Sequence, residues 1–174
     1  MRELLLKATL TKKLKQKEIL SICKLKNTHW KYGISSHLNW FNEYIQKNDI
    51  HNLAYLKEKL VGYALLRNRN FLLKKKKKKY LYYDTLIVAK KQRKQKIGHK
   101  LSSLIKKVIK KSKLHSMLIC EKKIEPFHKK YKWKKINNKK SQIIDHKYPK
   151  NFSMMCLNET ATIAKNNIKY FIFS

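Results

Sequence analysis

The order of elements along the chain predicts an α/β fold, and three observations carry that prediction. A meander of strands follows two helical segments. Its last member, Tyr80-Leu-Tyr-Tyr-Asp-Thr-Leu-Ile-Val-Ala89, gathers its apolar residues toward its end, as a central strand covered on both faces does. From Ile97 the apolar period changes to that of a helix.

Taken in order, residues 3–10 predict a first strand, although Leu4-Leu5-Leu6 alone does not separate strand from helix. From about Lys12, Leu14, Ile19, Ile22, Cys23 and Leu25 recur mostly at three- and four-residue steps, an amphipathic helix with a lysine-rich wet face. A second helix is expected from Ser35 to Ile45, with Leu38, Phe41 and Ile45 on one side and Ser35 or Ser36 as cap. The loop between them, Asn27 to Gly33, carries Trp30 and Tyr32; such a loop covers either a ligand groove or, more commonly, the core.

His51–Lys57 and Lys59–Arg67 read as two strands around a tight turn. Lys74 to Lys79, six consecutive lysines, predict an exposed hairpin loop, because mutual repulsion and desolvation keep such a run out of a core. Ile97, Leu101, Leu104, Ile105, Val108 and Ile109 form one apolar stripe, with Lys106, Lys107, Lys110 and Lys111 opposite. His115–Cys120 is a short strand, and Pro126 opens a brief helix that puts Phe127 and Tyr131 one turn apart. The remainder reads as strands, including Ser141–His146 and Lys169–Phe173, with a turn at Asn137-Asn138. No repeat or flexible linker divides the chain, so a single domain is expected over residues 1–174.

Composition narrows the function classes. Hydrophobic residues make up 43% and aromatics 11% of the 174 residues, enough for a packed core despite a formal net charge of +34. Lys+Arg total 44, yet Arg2, Arg67, Arg69 and Arg93 are the only arginines. A protein reading phosphates bidentately would favour arginine, whereas drift toward A/T-rich codons gives lysine, isoleucine and asparagine. The lysines are spread through every element, which argues against one nucleic-acid-binding stripe and for no specific nucleic-acid partner. No run approaches the length of a membrane span or a secretory signal, so no membrane insertion is expected. Cys23, Cys120 and Cys156 form no C-x-x-C pair and read as three reduced, mostly buried thiols in a cytoplasmic protein. The seven histidines include no H-x-x-x-H or H-E-x-x-H pair, so no metal is expected.

Chemistry concentrates where the central strand stops. After Val88 a basic turn leads to a helix start near Gly98, and free N–H groups there, aided by the helix dipole, form a pyrophosphate cradle. Gly98 permits close approach of a ligand, while Arg93, Lys94 and Lys96 add charge. A basic loop before an amphipathic helix is nonetheless an ordinary feature.

These segments resemble the GCN5-related N-acetyltransferase (GNAT) superfamily. The run Arg93-Lys94-Gln95-Lys96-Ile97-Gly98 is similar to the family's Gln/Arg-x-x-Gly-x-Gly/Ala loop, with Lys96 in place of the middle glycine. Pro126-Phe-His-Lys-Lys-Tyr-Lys-Trp133 is similar to its Phe-Tyr-x-Lys-x-Gly-Phe segment; His128 stands where the tyrosine acid usually is and Lys132 where glycine is. Glu121 replaces an asparagine often found seven positions before that tyrosine. The motifs cover about residues 84–133, and the element order covers nearly the whole chain.

The resemblance implies a mixed, mainly antiparallel twisted sheet flanked by helices, with splayed central strands. It implies acetyl-CoA as acyl donor, held by Leu86, Ile87 and Val88, by the loop residues Arg93, Lys94, Gln95, Lys96, Ile97, Gly98 and His99, and by Cys120 on the neighbouring strand. The function implied is acetyl transfer to a primary amine by direct attack on the thioester. The resemblance leaves the acceptor unidentified, among an amino sugar, another small amine and a protein amine, and leaves a homodimer open. A non-catalytic interaction protein of the same fold and a basic nucleic-acid-binding protein are the alternatives.

Asp84 is the candidate base, or the anchor for a cationic acceptor. It is the only acid between Glu58 and Glu121 and lies in an otherwise apolar strand; the alternative is a structural salt bridge to one of the many lysines. For the acid, His128 as an imidazolium and Tyr131 one turn on are the candidates, against a helix histidine and a core tyrosine. Trp30, His51 and His146, together with Asp84, are the candidate acceptor-side residues, and Asp49 is a further polar one.

Overall fold

The leucine-rich segment Leu4–Leu10 forms β1, and the amphipathic repeat forms α1 (Gln16–Asn27) and α2 (Ile34–Tyr44). The computed structural model describes residues 3–136, 139–149 and 151–173, so the expected turn at Asn137-Asn138 lies outside the described residues. The meander is β2 (Ile50–Leu56), β3 (Lys59–Leu73) and β4 (Lys76–Val88), followed by α3 (Ile97–Ser112) and β5 (His115–Glu121). Then come α4 (Glu125–Lys129), β6 (Lys134–Lys135), β7 (Ser141–Ile143), β8 (Phe152–Leu157), α5 (Ala161–Lys165) and β9 (Ile168–Tyr170). The strands hydrogen-bond in the order β1-β2-β3-β4-β5-β8-β6, with β9 beside β3 and β7. The sheet is mixed and mainly antiparallel, with helices flanking it, as expected.

Three details differ from the sequence reading. Only Lys74 and Lys75 of the lysine run form the turn; Lys76–Lys79 extend β4 with their side chains exposed. Repulsion between neighbouring lysines is relieved by strand alternation, which sends successive side chains to opposite faces. The cap of α2 is Gly33 at φ 87° rather than a serine, and the five-residue α5, capped by Thr160 accepting from Ile163 N, interrupts a stretch expected to hold only strands.

The chain divides into two compact units, Met1–Leu66 with Thr85–Ile105 and Arg67–Asp84 with Lys106–Ser174. In the first, β1 pairs antiparallel with β2 from Leu4↔Leu56 to Leu10↔Ile50, and β2 pairs antiparallel with β3. One cluster of this unit joins Ile22 and Leu25 of α1 to Leu53, Tyr63, Leu65 and Ile87; half-buried Trp30 packs against it. A second joins Ala54 and Val61 to Ile97 and Leu101 of α3. Each such side chain contributes on the order of 1.5–3 kcal/mol on burial. The approach of α3 is close: a Cβ on Gly62 would stand 2.9 Å from Leu101 Cδ1 and 3.0 Å from Ile97 Cγ2.

In the second unit β5 pairs antiparallel with β8 from Ser116↔Leu157 to Glu121↔Phe152, and β4 pairs parallel with β5 only from Tyr80↔His115 to Tyr83↔Leu118. The β4 residues after Tyr83 have no partner in that ladder. The core of this unit gathers Phe71, Tyr80, Tyr82, Met117, Cys156 and Tyr170.

Nine non-glycine residues among those described have positive φ, and seven are lysines: Lys57, Lys74, Lys75, Lys94, Lys96, Lys113 and Lys132. Lys57-Glu58 and Lys74-Lys75 fill two-residue hairpin turns with φ of 47°, 62°, 49° and 62°. Those values define type I′ turns, which normally carry Asn-Gly.

Candidate active site

The first unit carries the loop between β4 and α3. Ala89 N donates to Val61 O at 2.8 Å and Gln92 N to Ala89 O at 2.8 Å, so the chain leaves the strand in a single 3₁₀ turn over Lys90–Gln92. Arg93 then extends, with its Nε donating to Val88 O at 3.3 Å. Lys94 and Lys96 follow at φ 66° and 58°. Left-handed residues alternating in a turn point successive amides toward one concavity, a geometry that binds anions. The ring of side chains at Arg93, Lys94, Gln95, Lys96 and His99 is exposed, Ile97 is buried, and the first helical bond of α3 is Lys100 N to Lys96 O at 3.0 Å. A Cβ at Gly98 would meet nothing nearer than Val88 Cγ2 at 3.8 Å, so the protein itself leaves that position open. Cradle, open glycine and cationic rim fit a pyrophosphate. Lys96, in the position of the family's middle glycine, holds left-handed backbone at φ 58°.

Leu86 and Val88 pack toward Val61, Ile97 and Leu101, whereas Ile87 joins the cluster of Tyr63 and Leu65. His51 is fully buried in this unit. Its Nδ1 lies 2.9 Å from Tyr63 Oη and its Nε2 2.9 Å from Thr11 Oγ1, and Phe41 stacks on the ring at 5.6 Å. Burial holds it down to about 4, as a neutral ring inside the core. Asp49 is likewise fully buried, with Oδ2 accepting from Gln46 N at 3.0 Å.

The second unit brings together Asp84 with Arg67 and His128 with Tyr83 and Trp133. Arg67 Nη1 donates to Asp84 Oδ2 at 3.2 Å; the guanidinium is 1% exposed and the carboxylate side chain 21%. Arg67 also lies over the Phe173 ring, 5.2 Å from its centroid. The partner of Asp84 is therefore Arg67 in the strand beside it and not one of the lysines, because the planar guanidinium donates to the carboxylate from a buried position. The presence of Arg67 within an apolar strand was the available signal.

His128 on α4 is 7% exposed, set edge-on to Tyr83 at 5.7 Å, and its Nδ1 has no hydrogen-bond partner among the described residues. Burial lowers it to about 4, so the ring is neutral near pH 7 and the expected imidazolium is not the resting form. Tyr131 is half-buried, 5.5 Å from the Phe127 ring. Lys132, in the position of the family's glycine, has φ 71°. Cys120 is buried, and burial with Glu125 and Glu121 nearby pushes its thiol up to about 11, so it stays protonated. His146 is exposed, its ring 4.5 Å from Tyr148 and 5.4 Å from Phe173. Two polar pairs escaped the sequence reading: Tyr82 Oη with Tyr148 Oη at 3.1 Å, and Ser153 Oγ donating to Glu125 Oε1.

The family described as Acetyltransferase (GNAT) domain matches residues 11–144. The chain belongs to the GNAT acetyltransferases. Membership makes it a CoA-dependent acetyltransferase, and solved structures share its fold. A GNAT family N-acetyltransferase (YhbS) from Escherichia coli, in complex with CoA, superposes with a TM-score of 0.71 at 9% identity, over 98% of this chain and 91% of that one. An acyl-CoA N-acyltransferase from Pseudomonas aeruginosa gives 0.66 at 11% identity, over 88% and 99%. An aminoglycoside acetyltransferase from an uncultured soil metagenomic sample, in complex with trehalose, gives 0.55 at 18%, over 74% and 85%. No curated protein matches the chain. Among the described residues of this GNAT chain, no helix is long and apolar enough to cross a membrane.

Proposed function

We propose that the chain transfers the acetyl group of acetyl-CoA to a primary amine of a small molecule by direct attack on the thioester. The observation that carries this reading is the loop after β4, where Lys94 and Lys96 hold left-handed backbone immediately before α3 and Gly98 leaves its flank open. Arg93, Lys94, Gln95, Lys96, Ile97, Gly98 and His99 hold the pyrophosphate, and the backbone of Leu86, Ile87 and Val88, with Cys120 on β5, lines the pantetheine arm. Acetyl-CoA supplies a thioester carbonyl already activated toward amines.

The chain's own residues supply orientation and proton handling. Asp84, fixed by Arg67, receives the ammonium group and takes its proton, since only the neutral amine is nucleophilic. His128, kept neutral by burial, shapes the thiol end with Tyr83 and Trp133. The proton for the departing sulfur then falls to Tyr131, which retains partial exposure. Acceptor orientation is assigned to His146 in the second unit, whereas Trp30 and the fully buried His51 serve the core of the first.

Isothermal titration with acetyl-CoA tests the reading. Saturable binding in the micromolar range is expected, and none below about 1 mM would overturn it.

A further inference from the structure

The second unit holds a cavity of about 570 Å³ whose lining includes Ile119, His146, Lys147, Tyr148, Phe152 and Ser153. Its walls are partly aromatic: Tyr148 lies 4.5 Å from the His146 ring and 5.8 Å from Phe152, and its hydroxyl is fixed by Tyr82. No acidic residue is among those lining it. The nearby acids are turned to other tasks. Asp145 Oδ2 accepts from Ile172 N at 2.8 Å and Phe173 N at 2.6 Å. Glu125, which accepts from the lining Ser153, already faces Lys129 at 3.3 Å and Lys135 at 3.7 Å. Lys147 is exposed and makes no ion pair among the described residues. Asp84, which receives the reacting ammonium, is already paired with Arg67, so a polycation entering here finds no carboxylate for its further charges and meets a chain of net charge +34, whereas an anionic group finds an uncommitted ammonium.

We propose that this cavity takes an acceptor amine that also carries a carboxylate or phosphate, bound by Lys147, and that it rejects polycationic amines. The assignment rests on the acetyltransferase reading. It separates this chain from aminoglycosides, the acceptor class in the name of one fold relative. The aromatic walls accommodate the face of a sugar or ring between the two charged ends.

Matched probes test the charge alone. Titration calorimetry in about 150 mM salt, with CoA present, compares L-phenylalanine with phenethylamine, glucosamine 6-phosphate with glucosamine, and kanamycin as the polycation. In at least one pair the anionic member should bind about tenfold more tightly than its neutral-tailed partner, and the pair that shows it identifies carboxylate or phosphate as the group. Lys147→Glu should reduce that preference to about twofold or less while leaving CoA affinity unchanged. Equal binding within both pairs, tighter binding of kanamycin, or no binding of either anionic probe below about 10 mM overturns the proposal when CoA still binds. Loss of CoA binding in the unaltered protein overturns the acetyltransferase reading instead.

Discussion

Replacing Gly98 with alanine should raise stability and weaken cofactor binding in the same molecule. The added methyl would meet only Val88 Cγ2 at 3.8 Å, an ordinary contact, and Gly33 is the one described glycine with positive φ. Nothing in the folded chain therefore opposes a side chain at position 98. Alanine in the first turn of α3 gains roughly 0.5–1 kcal/mol over glycine through the smaller entropy of the unfolded chain. For a chain of this size that is about 1–4 °C in Tm. The ligand side has the opposite sign. If the loop amides hold the pyrophosphate, the methyl occupies the space left for it and costs about 1–2 kcal/mol, a factor of roughly 5–30 in Kd for acetyl-CoA. Thermal unfolding and calorimetric titration on one preparation read both effects. A variant that is stabilised yet binds acetyl-CoA as before would remove the loop from the cofactor site. A variant that loses stability would show that the environment of Gly98 has been misread.

Gly62→Ala should destabilise by about 1–3 kcal/mol, because its Cβ would stand 2.9 Å from Leu101 Cδ1 and 3.3 Å from Ala54 Cβ; an unchanged denaturant midpoint would contradict this. Arg67→Lys keeps the charge but loses the planar fork at a 1% exposed site, so a loss of about 2–4 kcal/mol is expected in urea unfolding, and a loss under 0.5 kcal/mol would count against a structural pair with Asp84. Burial lowers His51, His115 and His128 to about 4 from the ordinary 6.5, so the unfolded chain binds more protons between those values. Their stabilisation is complete above about pH 6.5 and falls as pH drops toward 4, by up to about 1.4 kcal/mol per pH unit for each ring. Denaturant midpoints at about pH 7 and about pH 5 should therefore differ, with the lower pH less stable, and equal midpoints would refute the neutral, buried rings.

The fold was legible where periodicity was strong. The α3 stripe and the apolar end of β4 follow directly from spacing, and both positioned the loop between them. Less was legible where lysine had replaced the usual punctuation. The two lysine hairpin turns lack the Asn-Gly and Gly signals that mark such turns elsewhere, so Lys74–Lys79 read as one loop although only two of its residues turn. Site residues on the loop could be named from sequence because a motif surrounds them. The state of His128 could not be, since its neutrality comes from Tyr83 and Trp133, which are far from it or shielded in sequence by lysines. Arg67 and Asp84 are 17 positions apart and meet only through strand pairing, which no local pattern encodes.

The left-handed lysines have a consequence for how the chain reaches its fold. A turn made of Lys57-Glu58 or Lys74-Lys75 has no local preference for closing, and each residue costs on the order of 1 kcal/mol in that conformation. Neither turn favours its hairpin as a folding nucleus, so these turns are expected to close only after their strands have paired. Substitutions at the two turns are then expected to leave the folding rate nearly unchanged, which stopped-flow refolding would check. Stability added at these turns would accordingly slow unfolding while leaving the folding rate nearly unchanged. Turns built from left-handed lysines thus bear on how fast the native architecture is lost, as unfolding rates of turn variants would read.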